Sequence, residues 1–315
     1  MNNQPSIISS PEIRLFVILA MTLSFLLIAS FIFDLKIQKG DLPISSGIAQ
    51  KSFPEVTLGA KAAYVYDART KTVLFAKNEN TRLSLASLTK IMAALVAEDL
   101  SPLYSIITIN GDALRAEGDS GLYRDEKWSL KDILDFSLLT SSNDGMRAVA
   151  LSLGAISRAD ATSTEIINDF VGEMNRRASK LGLKNTYFWN ETGLDETNVK
   201  GGAYGTAKDM NALLEYVLTN QPELLVATRE VATTFSSIDN YLHTAKNTNS
   251  ITSEIPGLIA SKTGATDTAG GNLIIIFDPE LGRPIIVSIL GSTEKGRFED
   301  AEILISAVME YINNN

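Results

Sequence analysis

The longest apolar stretch of the chain is Leu15 to Phe33, which carries no charge and is bounded by Arg14 and Asp34. At a helical rise of about 1.5 Å per residue it just spans a hydrocarbon core of about 30 Å. The pattern therefore predicts a transmembrane helix over 15–33. Its only candidate cleavage stretch, Ile28-Ala29-Ser30, lies inside the run and is followed by Phe31-Ile32-Phe33. An uncleaved anchor is the expectation. Residues 34–58 mix Gly, Pro, Ser and charge without a sustained period and read as a tether.

Ala62 to Asp67 and Thr72 to Ala76, separated by the turn-like Ala68 to Lys71, read as a hairpin. From Ser87 to Glu98 the spacing is helical, with Leu88, Met92 and Leu95 on one stripe. That helix is expected to bury the stripe and present Ser87 and Lys90 to a cleft. Residues 130–182 are mostly helical: Ile133, Leu134, Phe136 and Leu138 first, then Met146 to Leu153, then Ile166 to Leu181. A further helix runs from Thr206 to about Leu218. Strand patterns return at Leu258 to Ser261, Asn272 to Phe277 and Pro284 to Leu290, and an amphipathic helix closes the chain from Arg297 to Ile312. Strands at both ends with helices between predict an α/β domain over 59–315 whose sheet is assembled from the two chain ends.

Composition removes several chemistries. The 315 residues include no cysteine and one histidine, His243, so disulfides, thiolate nucleophiles and a multi-histidine metal centre are excluded. A net charge of −9 argues against nucleic acid or an anionic membrane surface as partner.

Three short motifs carry the remaining chemistry: Ser87-Leu88-Thr89-Lys90, Ser141-Ser142-Asn143 and Lys262-Thr263-Gly264. Each alone is commonplace, and their combination in this order specifies acyl transfer by a serine that uses lysine as its base. Ser87 sits where a helix begins, so its own amide is available to an oxyanion. Lys90 is one turn on, on the same face. A desolvated lysine near other cations loses its charge and can take the serine proton. Ser141 reads as a proton relay between Lys90 and the leaving group. Asn143 would orient Lys90 and hold a substrate amide, or cap the following helix. Lys262-Thr263-Gly264 ends a strand: Lys262 and Thr263 suit a substrate carboxylate, Gly264 admits a close backbone, and the Ala265 N–H is the candidate second oxyanion donor.

With these motifs in order, residues 60–312 resemble the D-alanyl-D-alanine carboxypeptidases of the low-molecular-mass penicillin-binding proteins, the peptidase S11-like family. The stretch Leu85 to Met92 is similar to the family's nucleophile motif almost residue for residue. Asn190 to Leu194, Thr206 to Met210 and Lys262 to Thr266 with Ala269-Gly270 resemble further signatures, and Gly296-Arg297 matches a late basic position near the site. The resemblance implies a β-lactamase/transpeptidase-like fold, α+β, with an antiparallel sheet and a mostly helical subdomain. It implies that Ser87 attacks the carbonyl between two D-alanines of a peptidoglycan stem peptide, that β-lactams acylate the same serine, and that no metal or organic cofactor is needed. It further implies a short cytoplasmic tail over 1–14 and an extracytoplasmic catalytic domain. The chain departs from the family at Ser142, usually Gly, at Gly205, usually Ser, and at Ala265, usually larger. It is also expected to lack the family's β-rich C-terminal domain. The residues leave open a DD-endopeptidase, a class A β-lactamase using Glu191 for deacylation, and an anchored wall-binding protein with a degenerate site. A Ser-His-Asp hydrolase through His243 lacks a nucleophile elbow, and His243 is expected to be a surface or packing residue.

Overall fold

Ala62–Asp67 (β1) and Ile285–Ser292 (β12), from opposite ends of the sequence, pair antiparallel in register from Ala62 with Leu290 to Asp67 with Ile285. They are neighbours in a five-stranded antiparallel sheet of order β10-β11-β12-β1-β2, where β2 is Thr72–Lys77, β10 is Leu258–Thr266 and β11 is Gly270–Phe277. The expected sheet from both chain ends is present. The structure is a computed structural model that describes residues 18–26, 52–154 and 160–314.

Each face of the sheet is covered, so its strands are apolar on both sides. In β11, Leu273, Ile275 and Phe277 enter one core, while Ile274 and Ile276 enter the other. The first core is closed by the last helix, Gly296–Asn313 (called α6 below), through Ala301, Leu304, Ile305 and Val308. The second core extends into the helical part of the molecule. That part contains Thr89–Leu100 (α1), Leu130–Thr140 (α2), Asn143–Gly154 (α3), Ser163–Lys180 (α4) and Ala207–Asn220 (α5). Thr162 caps α4 in a reciprocal box with Glu165, and Thr206 caps α5 by accepting from Asp209 N.

Helix α1 departs from the sequence expectation. It does not bury one stripe and open another: every residue from Thr89 to Ala97 is buried. Ala93, Ala94 and Ala97 allow α3 and α4 to approach it closely, so it is the central helix of the layer. The alternation-based reading also missed short pairings: Leu83–Ser84 (β3) with Ala203–Gly205 (β7) and Tyr187–Phe188 (β6), Ile106–Thr108 (β4) with Lys127–Ser129 (β5), and the hairpin Ala232–Ser236 (β8) with Leu242–Lys246 (β9). Strands of two or three residues are too short to show a period.

The run 15–33 lies largely outside the described residues. Residues 18–26 are helical with exposed side chains, and among the described residues no helix is long and apolar enough to cross a membrane. Residues 34–51 of the expected tether are likewise outside. Residues 52–58 are not a free tether: Phe53 and Val56 pack on the core under α6, and the Phe53 ring lies 5.8 Å from Phe75 and 5.9 Å from Tyr311.

Candidate active site

The nucleophile turn, Ala86–Leu88, is a single turn of 3-10 helix that runs directly into α1. Ala86 has φ of 48°, a left-handed conformation that a residue with a Cβ adopts at a cost of about 1–3 kcal/mol. Its surroundings hold it there. Leu85 N donates to Ala203 O at 3.0 Å, and Asn272 Nδ2 donates to Ser84 O at 2.9 Å. Gly193 lies under the turn, where an added Cβ would stand 1.9 Å from Ala86 O.

Lys90, one turn after Ser87, is fully buried. Its Nζ is 2.9 Å from Ser87 Oγ, 2.7 Å from Asn143 Oδ1 and 2.9 Å from Thr192 O. The amide of Asn143 is oriented independently, since its Nδ2 donates to Glu117 O at 2.7 Å. Burial pulls the Lys90 ammonium down to about 7, and the charge of Glu191 opposes that fall. A neutral amine has two N–H bonds and one lone pair. The two carbonyl partners can only accept, so they take the hydrogens and the lone pair faces the Ser87 hydroxyl. Ser87 and Lys90 thus stand at the separation that proton transfer requires.

Ser141 ends α2 in the left-handed conformation, with φ of 63°. Its Oγ accepts from Lys262 Nζ at 2.9 Å. The expected Ser141 relay thus connects first to Lys262 in the resting site, because Asn143 and Thr192 already fill the donor positions of Lys90. The capping role weighed for Asn143 belongs to Ser142, whose Oγ accepts from Gly145 N at 2.9 Å and leaves Asn143 free to bind Lys90.

Lys262-Thr263-Gly264 does not end its strand, since β10 continues to Thr266. β10 is the terminal strand of the sheet: Ser261 N donates to Thr228 Oγ1 at 3.1 Å, and among the described residues no further strand pairs with its outer edge. Gly264 is required by the protein itself: a Cβ there would lie 2.9 Å from Leu85 O and 3.1 Å from Ser87 N. The glycine lets the nucleophile turn sit against the strand, so the Ser87 amide and that of the next strand residue, Ala265, are neighbours. Lys262 is buried and its ammonium is held well below the usual lysine range by burial and by the charges of Lys90 and Arg297. Arg297, at the start of α6, donates from Nη1 to Gly264 O at 2.9 Å, so it supports the strand from behind. Thr263 Oγ1 meets Thr248 Oγ1 at 2.5 Å.

The three motifs and Arg297 therefore meet at one place, and His243 does not join them. Sequence reasoning missed the parts that hold them: the Thr192 and Glu117 carbonyls, Asn272, Thr248, and Asp195, which receives Thr266 Oγ1 at 2.9 Å and Thr268 N at 3.0 Å. Backbone acceptors carry no side-chain signal. The motif Asn190 to Leu194 was visible, and Asn190 Oδ1 shapes it by accepting from Gly193 N at 2.7 Å. His243 is a packing residue: its Nε2 pairs with Glu126 Oε1 at 2.7 Å and its ring lies against Trp128 and Phe136. Among the described residues no group of three or more His, Asp or Glu side chains is placed to hold a metal ion.

Residues 49–293 match the sequence profile of the peptidase S11 family, described as D-alanyl-D-alanine carboxypeptidase. The chain is 30% identical over 274 residues to D-alanyl-D-alanine carboxypeptidase DacC of Escherichia coli, covering 82% of this chain and 63% of that protein. It is 32% identical over 261 residues to the carboxypeptidase DacF of Bacillus subtilis, covering 78% of this chain and 61% of that protein. It thus spans somewhat under two thirds of the length of these two relatives. Among solved structures, the ampicillin-bound penicillin-binding protein D2 of Listeria monocytogenes superposes with a TM-score of 0.65 at 30% identity, covering 81% of this chain and 98% of that one.

Proposed function

The chain belongs to the peptidase S11 family of D-alanyl-D-alanine carboxypeptidases, and on that premise we propose that it removes the terminal D-alanine from peptidoglycan stem peptides through an acyl-enzyme on Ser87. The observation that carries the proposal is the fully buried Lys90 amine, 2.9 Å from Ser87 Oγ, with its two N–H bonds assigned to Asn143 and Thr192.

The steps follow from the geometry. Lys90 Nζ takes the Ser87 proton as Oγ attacks the penultimate D-alanine carbonyl. The carbonyl oxygen becomes an oxyanion between the amides of Ser87 and Ala265. The peptide chain lies along the free edge of β10, as an added strand would. Lys262 and Thr263 bind the terminal carboxylate, whose negative charge favours the ammonium form of Lys262. The C–N bond breaks, the proton that Lys90 took from Ser87 passes to the departing amine, directly or with Ser141 as relay, and D-alanine leaves with Lys90 neutral again. Water, activated by Lys90, then attacks the ester and returns the proton to Ser87.

A β-lactam presents a strained amide and a carboxylate at matching positions, and its acyl-enzyme forms by the same attack. The uncharged run 15–33 supports a single-pass anchor with the catalytic domain outside the cytoplasm, where the substrate lies. The test uses the full chain with benzylpenicillin and, separately, with a peptide ending in D-Ala-D-Ala, followed by intact mass spectrometry and by D-alanine release. A covalent adduct that maps to Ser87, with release of D-alanine, is expected. A folded chain giving neither refutes the reading, and rapid turnover of the drug points to a β-lactamase.

A further inference from the structure

Next to Thr192, whose carbonyl binds Lys90, stands an ion pair that the mechanism above does not use. Glu191 is fully buried. Its Oε1 accepts from Arg147 Nε at 2.9 Å, while its Oε2 is buried with no hydrogen-bond partner. It directly precedes Thr192, whose carbonyl binds Lys90. Arg147 is different: its side chain is 31% exposed and lines a cleft of about 340 Å³ with Asp112, Trp189 and Asn190. Solvent reaches the cation but not the carboxylate. A half-paired carboxylate sealed beside a buried lysine is costly unless its charge is used.

We propose that Glu191, held by Arg147, is a positioning residue that governs how readily Lys90 takes the Ser87 proton. The pair works as a graded counter-charge. Glu191 favours the protonated amine, and Arg147 weakens that pull by sharing the carboxylate. On the strand side the charges of Lys90 and Arg297 fall on Lys262 and, with burial, lower its ammonium, so Lys262 is the group that yields to them. At the start of α3, Asp144 is engaged by Ser120 N at 3.2 Å. Glu191 is the anion whose charge reaches Lys90. Without it, the base would be too weak to draw the serine proton near neutral pH. With a bare carboxylate, it would stay charged. The inference rests on the reading of Lys90 as the base.

The experiment follows the ¹³Cε resonance of Lys90 against pH in the full chain, assigned by its loss in Lys90→Arg, alongside the rate of Ser87 acylation by benzylpenicillin. Glu191→Gln keeps the shape and the bond from Arg147. It is expected to lower the Lys90 midpoint by about one pH unit and to move the acid limb of acylation with it. Glu191→Asp, which keeps the charge, stays near wild type. Arg147→Gln, at a partly exposed side chain, moves the midpoint up. A merely structural pair would lower the melting temperature in all three variants and leave the midpoint in place. An unmoved midpoint in Glu191→Gln and Arg147→Gln, or a shift in the same direction in both, overturns the inference. A wild-type chain that takes no penicillin overturns the reading of the site instead, and the resonance still decides the inference.

Discussion

Lys90 should make the protein less stable at neutral pH, and Lys90→Met tests that directly. The wild-type ammonium falls from 10.5 to about 7 on folding because it is buried. Between these values the unfolded chain holds a proton that the folded chain does not. Stability therefore rises with pH across that window and is lost as pH falls toward 7. The full gap corresponds to roughly 5 kcal/mol at about 1.36 kcal/mol per pH unit. From pH 7 to pH 9 the change is about 2 kcal/mol, since the folded amine is still half protonated at the lower end. Methionine has similar length, fills the same space and does not titrate. It forfeits the bonds to Asn143 Oδ1 and Thr192 O, at a cost of about 1–3 kcal/mol for each unsatisfied acceptor, but that cost is independent of pH. Urea unfolding of both full chains at pH 7 and pH 9 should show wild type gaining about 2 kcal/mol on the variant between the two. Lys262, shifted the same way, is present in both chains and largely cancels. Parallel stability curves would show that Lys90 stays charged in the folded protein throughout, which would refute both the linkage and its role as a base near neutral pH.

Other outcomes follow from single contacts. Gly264→Ala sets a Cβ against the backbone of the nucleophile turn, 2.9 Å from Leu85 O and 3.1 Å from Ser87 N, so the turn must shift and the variant should lose about 1–3 kcal/mol in urea. It should slow penicillin acylation by about tenfold or more by separating the oxyanion donors, and stopped-flow labelling checks it. Lys90→Ala should slow acylation by about 100-fold or more in the same assay, and a near-normal rate would remove Lys90 from the mechanism. Asn272→Ala deletes the bonds to Ser84 O and Gly291 N, both buried, and should destabilise the fold by about 2–4 kcal/mol in urea. Lys262→Met should raise KM for a peptide ending in D-Ala-D-Ala more than it lowers kcat, and the reverse split would count against carboxylate binding.

The chemistry was legible in the sequence because it depends on residue type at short spacing. Ser87 and Lys90 lie one helical turn apart whatever the tertiary structure does, and Lys262-Thr263-Gly264 follows directly on the strand pattern of Leu258 to Ser261. The order of elements was legible for the same reason: the unbroken apolar run Leu273 to Phe277 reads as a strand covered on both faces, and the helical spacing is written into Ile133 to Leu138. What only the tertiary structure decided is how charge and strain are managed around those residues. No local pattern says that α1 is buried on every side, and that burial is what lowers the Lys90 ammonium. Ala86 takes a left-handed turn because Gly193, Ala203 and Asn272 surround it, and none of these is its sequence neighbour. Glu191 becomes a counter-charge because folding seals it beside Lys90 while Arg147 stays open to solvent. Desolvation and long-range packing are properties of the assembled chain, so they enter only when distant segments meet.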